Sequence, residues 1–137
     1  MKTTFRFEKL EVWKRAAALT MPLLSFADQL EARKMWKFTE QLRAATLSIT
    51  NNIAEGSGSS SNKDFANFLN IARRSAFEVV NMLLIFERQG LCTREEIEPW
   101  LSELEAISRM LEAFRKKLGS SLRQILSALC PPLFAIL

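Results

Sequence analysis

The chain has 137 residues, 48% apolar and 25% charged, with a net charge of +4 and a sequence pI near 9.4. This is the composition of one globular domain with a single core, and it excludes a disordered chain. Histidine is absent, which removes the commonest general base near neutral pH and the commonest metal ligand.

Glycine and proline number four each, too few for a turn-rich all-β fold and in keeping with long helices. Cys92 and Cys130 match no zinc or CxxC spacing, so the expected compartment is a reducing cytoplasm. Met1–Leu10 carries Lys2, Arg6, Glu8 and Lys9 and reads as no leader. The longest charge-free runs, Ala16–Ala27 and Gln124–Leu137, are too short to cross a bilayer. No membrane and no cofactor are therefore expected.

Apolar residues recur at the helical period throughout. The first helix is expected from Glu8 to Leu30, with Leu10, Trp13, Ala17, Leu24 and Ala27 on one face. A second apolar row beside it holds Val12, Ala16, Leu19, Leu23, Phe26 and Leu30. Pro22 removes a backbone donor there and predicts a kink. The second helix begins within Met35–Phe38 and reaches Ala54 or Glu55, on the row Leu42, Ala45, Thr46, Ile49 and Ile53. Gly56 is placed to end it in the left-handed conformation.

A serine-rich link leads to Asn62, read as the N-cap of a third helix with Asp64 in its first turn. Its stripe runs from Phe65 to Phe86, and Gly90 stops it. Thr93 and Glu96 have the spacing of a capping box for a fourth helix. Its stripe is Ile97, Leu101, Leu104, Ile107, Leu111, Phe114 and Leu118, and Gly119 is expected to close it. Pro99 predicts a kink or a later start.

The expected fold is an all-α, antiparallel up-and-down four-helix bundle over residues 1–118, followed by an apolar tail with a possible short helix over 119–137. The first helix carries two apolar rows, and the third adds Ala66, Phe77, Val80 and Leu84. That exceeds what one bundle core needs, so self-association into a homo-oligomer is expected.

Ser48, Asn52 and Glu55 fall on one edge of the second helix, with Ser75 and Glu78 as candidate partners on the third. An amide and a carboxylate there could contact a ligand or RNA. The reading that fits buried polar groups better is a structural polar corner fixing helix register. A carboxylate site built on Glu55 and Glu78 lacks the histidines of di-metal bundles, so neither a metal site nor catalysis is expected. The Gly56–Asn62 loop has no lysine and follows no strand, so it is no phosphate-binding loop.

Basic residues cluster as Lys14–Arg15, Arg33–Lys34–Lys37, Arg73–Arg74 and Arg115–Lys116–Lys117, and Trp13 and Trp36 lie near the first two. Such surfaces can bind single-stranded nucleic acid, and oligomerisation would repeat each patch.

"FEKLEVWKRA" (7–16), "QLRAATLSITNNIAEG" (41–56), "FANFLNIARRSAFE" (65–78) and "ISRMLEAF" (107–114) together resemble the bacterial four-helix bundle proteins called 23S rRNA intervening-sequence proteins. The strongest block is matched by Gln41, Arg43, Ala45, Ser48, Ile49, Asn52, Ile53, Ala54, Glu55 and Gly56. The sequence departs from that pattern at Leu30–Glu31, Ala44, Thr50 and Arg73. The resemblance implies a homopentameric ring. Accessory proteins of diversity-generating retroelements, which bind nucleic acid and a reverse transcriptase, look like relatives.

The expectation is thus a non-enzymatic, cytoplasmic bundle that associates with itself and binds RNA or DNA. Its candidate contacts are Lys14, Arg15, Arg33, Lys34, Lys37, Arg43, Arg73, Arg74, Arg115, Lys116 and Lys117. The other class considered is a protein-interaction scaffold that docks a protein partner and binds no nucleic acid.

Overall fold

The structure, a computed structural model, describes the backbone of residues 1–129 and the side chains through Ser120. A 3-10 turn, Arg6–Lys9, precedes α1 (Glu11–Ala32), α2 (Trp36–Ser57), α3 (Asn62–Arg88) and α4 (Arg94–Leu129). No strand occurs among the described residues, and no described helix is long and apolar enough to cross a membrane.

The helix ends show where local chemistry matches the expectations and where it departs. The Thr93 capping box forms as expected: Glu96 N–H donates to Thr93 Oγ1 at 3.2 Å, and Thr93 N–H to Glu96 Oε2 at 2.7 Å. α4 therefore starts at Arg94 and carries Pro99 in its second turn, where the solvent-exposed backbone tolerates a missing donor. Leu10 is extended (φ −75, ψ 123), so the first helix begins at Glu11 and not at Glu8. Ser61, one residue before Asn62, is the N-cap of α3; its hydroxyl accepts from Asp64 N–H at 3.1 Å.

Two glycines behave unlike their expected roles. Gly56 lies inside α2, which continues to Ser57 and ends on Gly58 at φ −84. A Cβ at Gly56 would stand 2.6 Å from Phe68 Cβ and 2.8 Å from Phe65 Cδ2. This glycine is needed for the close approach of two helices, not for a left-handed turn. Gly119 does not close α4, which runs through it to Leu129. The helix expected in the tail is therefore continuous with α4, and residues 130–137 lie outside the described residues.

α1 and α3 end in the same hydrogen-bond pattern. Met35 N–H reaches back to Leu30 O at 3.0 Å, and Leu91 N–H to Phe86 O at 2.9 Å. This six-to-one bond requires a left-handed residue just before it. Gly90 supplies it at φ 74, whereas in α1 the position is taken by Lys34 at φ 63.

The core draws on all four helices. Leu23, Ala27 and Leu30 of α1, Leu42 and Ile53 of α2, Leu69 and Leu83 of α3, and Leu104, Ile107 and Leu111 of α4 are at most 1% exposed. Phe26, Phe38, Phe86 and Trp100 fill one end with rings 5.2–6.2 Å apart, and Phe65 meets Phe114 edge-on at the other. Contacts between α2 and α3 run from Gly56 against Phe65, through Ser48 against Ser75, to Phe38 against Phe86, so rising positions on one helix meet falling positions on the other. Of the helix pairs in contact, α1 and α4 touch least, and Arg15 of α1 bridges to Glu103 of α4.

Candidate functional site

The expected polar corner forms from three of its five residues. Asn52 Nδ2 donates to Ser48 O at 2.7 Å and to Ser48 Oγ at 3.0 Å. Ser48 Oγ and Ser75 Oγ are 2.7 Å apart, and Ser75 Oγ donates to Ile71 O at 3.0 Å. Each hydroxyl has one proton, so the chain has a single direction: Asn52 to Ser48, Ser48 to Ser75, Ser75 to the Ile71 carbonyl. Every donor is used, as a half-buried polar ladder requires. Glu55 and Glu78 are exposed and take no part in it. Gly56, together with the hydroxyl pair, ties the corner, and the ladder's hydroxyl protons are all used without the carboxylates. Among the described residues no group of acids and cysteines could hold a metal ion.

The basic residues divide into those the fold uses and those it leaves free. Arg15 forks onto both carboxylate oxygens of Glu103 at 2.6–2.7 Å. Arg43 bridges Asp28 and Glu31, holding α2 against α1. Arg115 forks onto Glu112 at 2.8–2.9 Å, and Lys116 stands 3.7 Å from the same carboxylate. The Arg115 hydrogen bond holds the Glu112 carboxyl down at about 2, and the Arg15 hydrogen bond pulls Glu103 below the usual carboxylate range. These arginines have charge partners already, so they are poorer phosphate contacts than their sequence clusters suggest. Arg73 lies over the Phe77 ring at 5.2 Å, with its Nε buried and without a partner. Lys14, Arg74 and Lys117 are exposed, and each stands apart on a different helix.

One basic cluster remains coherent. Lys34, Trp36 and Lys37 follow each other through the α1–α2 turn, all exposed, with Trp36 55% accessible. Arg33 donates to Leu91 O at 3.3 Å across to the α3–α4 turn, which brings Arg88 to the same end of the molecule. Arg88 escaped the sequence reading because only tertiary structure brings the ends of α1 and α3 to the same end of the molecule; its place in the last turn of an amphipathic helix was the available signal. Lys34 holds the left-handed conformation that costs a non-glycine residue about 1–2 kcal/mol, and strain of this kind gathers at binding sites. Trp13, by contrast, packs against Phe7 at 5.1 Å and is not free to stack on a base.

The second surface is a groove of about 710 Å³ between the outer faces of α3 and α4. Phe77, Val80 and Leu84 form one wall and Leu101 and Ala113 part of the other. Phe77 is 55% exposed there. Arg73, Arg94, Arg109 and Lys116 rim it with Glu98, Glu105 and Glu112, and Arg94–Glu98, Arg109–Glu105 and Lys116–Glu112 already pair along one helix. The α3 wall is the surplus row visible in the sequence; Leu101 was there assigned to the core stripe. Such an apolar floor, under a rim where all but Arg73 of the cations are paired with acids, suits a protein surface better than a phosphate backbone.

The family model described as 23S rRNA-intervening sequence protein matches residues 8–113. The chain belongs to that family. No curated protein and no solved structure matches it. The matched stretch contains the polar ladder, Gly56, the Trp36 turn and nearly the whole groove, and stops short of Arg115–Lys117 and the distal part of α4.

Proposed function

We propose that this member of the 23S rRNA-intervening sequence protein family is an antiparallel up-and-down bundle whose copies associate through the α3–α4 groove into a closed ring, and that the assembly binds single-stranded RNA or DNA in the cytoplasm. The proposed role is binding, not catalysis. The observation that carries the nucleic-acid reading is the accessible Trp36 flanked in the α1–α2 turn by Arg33, Lys34 and Lys37, at the end of the molecule where α3 finishes with Arg88. An indole stacks on any base, and the flanking cations meet phosphates, so recognition would be largely independent of sequence. A ring repeats that end in every copy, and avidity raises a weak single contact.

The test is titration of labelled single-stranded RNA and DNA at several salt concentrations. Trp36→Ala is expected to weaken binding by about 1–3 kcal/mol. Lys34→Glu with Lys37→Glu removes two phosphate contacts and should flatten the log–log salt slope by about 1.4. Arg115→Glu, at a residue already paired with Glu112, is the control and should change binding least. Absence of binding even at low salt overturns this reading and leaves the scaffold reading, which the apolar groove favours. A monomeric mass across micromolar concentrations overturns the ring.

A further inference from the structure

The groove between α3 and α4 is a hollow, and a hollow is not filled by a copy of itself. Its occupant needs a raised apolar ridge. One such ridge stands on the flank of α3 that faces α2. Ser75 touches Ser48 of α2; Ile71 lies four residues before it and Glu78 three after it, so both share its stripe. Ile85 follows Glu78 by seven. Ile71 is 42% exposed and Ile85 43%, with Glu78 exposed between them. Ile71 to Ile85 spans about 21 Å, and Arg73 to Leu84, the α3 wall of the groove, about 16 Å.

The charges of the two surfaces are opposite. At the Arg73 end of the groove, Glu112 alone faces Arg73, Arg115 and Lys116, so positive charge is in excess there. Among the described residues, Glu40, Glu55 and Glu78 are the acids with neither an ion pair nor a place in a helix's first turn. All three are exposed and lie on α2 or α3. The heights agree as well. Glu55 precedes Gly56, which packs against Phe65 and Phe68, and Lys116 follows Phe114, which also packs against Phe65. Glu55 on α2 and Lys116 on α4 thus stand at one level of the bundle.

We infer that the groove of one copy receives the Ile71–Glu78–Ile85 ridge of the next, head to tail, with Glu55 of one copy set against Lys116 of its neighbour. With the bundle axes along the ring axis, rotation brings equal heights together, so the ridge brackets the groove wall and the acid meets the cation. Ridge and groove are different surfaces of one chain, so every copy both gives and receives, as a closed ring requires. The inference rests on the proposed association through the groove and adds the surface that fills it.

The experiment uses the full chain and sedimentation. Glu55→Lys sets like charges across the contact, as does Lys116→Glu, and each is expected to weaken assembly by about tenfold or more. A chain carrying both reverses the pair and should assemble as the wild type does. Both positions are exposed, so the melting temperature should stay within a few degrees. In a chain with Cys92→Ser and Cys130→Ser, Glu55→Cys together with Lys116→Cys should give covalent species beyond the dimer with a short bis-maleimide, and either cysteine alone none. Single variants without effect, or a double variant as weak as the singles, overturn the proposal. If Phe77→Glu dissociates that same assembly, the groove reading stands without it. Cross-linking of Lys116→Cys alone sets groove against groove and also overturns it. A monomeric wild type overturns both readings.

Discussion

α3 packs two of its faces in opposite ways. Toward α2 it meets Gly56 and a serine pair, and the two helices close on each other until a Cβ at position 56 would overlap Phe68. Toward solvent beside α4 it presents Phe77, Val80 and Leu84, and a groove of about 710 Å³ stays open. Small residues let backbones approach and complete a surface within one chain; large ones hold the neighbour off and leave apolar area for another molecule. The first face is finished by folding. The second is left open by folding.

That contrast can be broken from either side. The largest expected effect is at Phe65, which is 2% exposed between Gly56, Phe114 and the Arg6 guanidinium. Phe65→Ala should cost about 3–5 kcal/mol in urea unfolding. Gly56→Ala should cost about 1–3 kcal/mol, because the added methyl meets a Cβ and a ring that cannot step aside. The same change at Gly119, where a Cβ meets nothing within 4 Å, should instead stabilise by about 0.5–1 kcal/mol. An equal effect at both glycines would remove the close-approach argument.

Smaller effects sharpen the contrast. Ser75→Ala interrupts the ladder between Ser48 and the Ile71 carbonyl and should cost about 1 kcal/mol. Phe77→Ala, on the open face, should change the stability of the bundle by less than about 0.5 kcal/mol yet weaken assembly measured by sedimentation. Last comes a pH effect. Glu112 is held at about 2 by its Arg115 hydrogen bond, against an ordinary glutamate near ~4.3. The depressed value means its contribution is present above the ordinary value and is lost as pH falls toward 2. Glu112→Gln should therefore be less stable than the wild type at neutral pH, and the gap should close across that window in acid urea titrations.

Much of the fold was legible in the chain. Most of the row from Phe65 to Phe86, and Ile97, Leu104, Ile107 and Leu111 of the fourth stripe, are buried in the core, with Phe77, Val80 and Leu84 as the surplus row, and the Thr93–Glu96 box caps α4 as its spacing implied. The polar corner was legible in part, since Ser48, Asn52 and Ser75 join but Glu55 and Glu78 do not. The basic clusters were least legible. Arg15 and Arg43 look like free cations in sequence, and only their placement opposite Glu103 and Glu31 of other helices shows them engaged, whereas the Arg115–Glu112 pair lies at i,i+3 on one helix.

Periodicity, capping and composition act over a few residues, so the sequence alone determined four helices, their order and which rows they bury. Gly56 reads as a helix stop in that local grammar because glycine serves both turns and close contacts. Its role was decided by Phe65 and Phe68 arriving from the next helix. The tertiary structure likewise decided that Arg15 and Arg43 are taken up in ion pairs between helices, that Arg33 reaches from the Trp36 turn to the α3–α4 turn, and where apolar area is left unfilled. Each depends on distances between helices, and packing, not chain order, sets those distances.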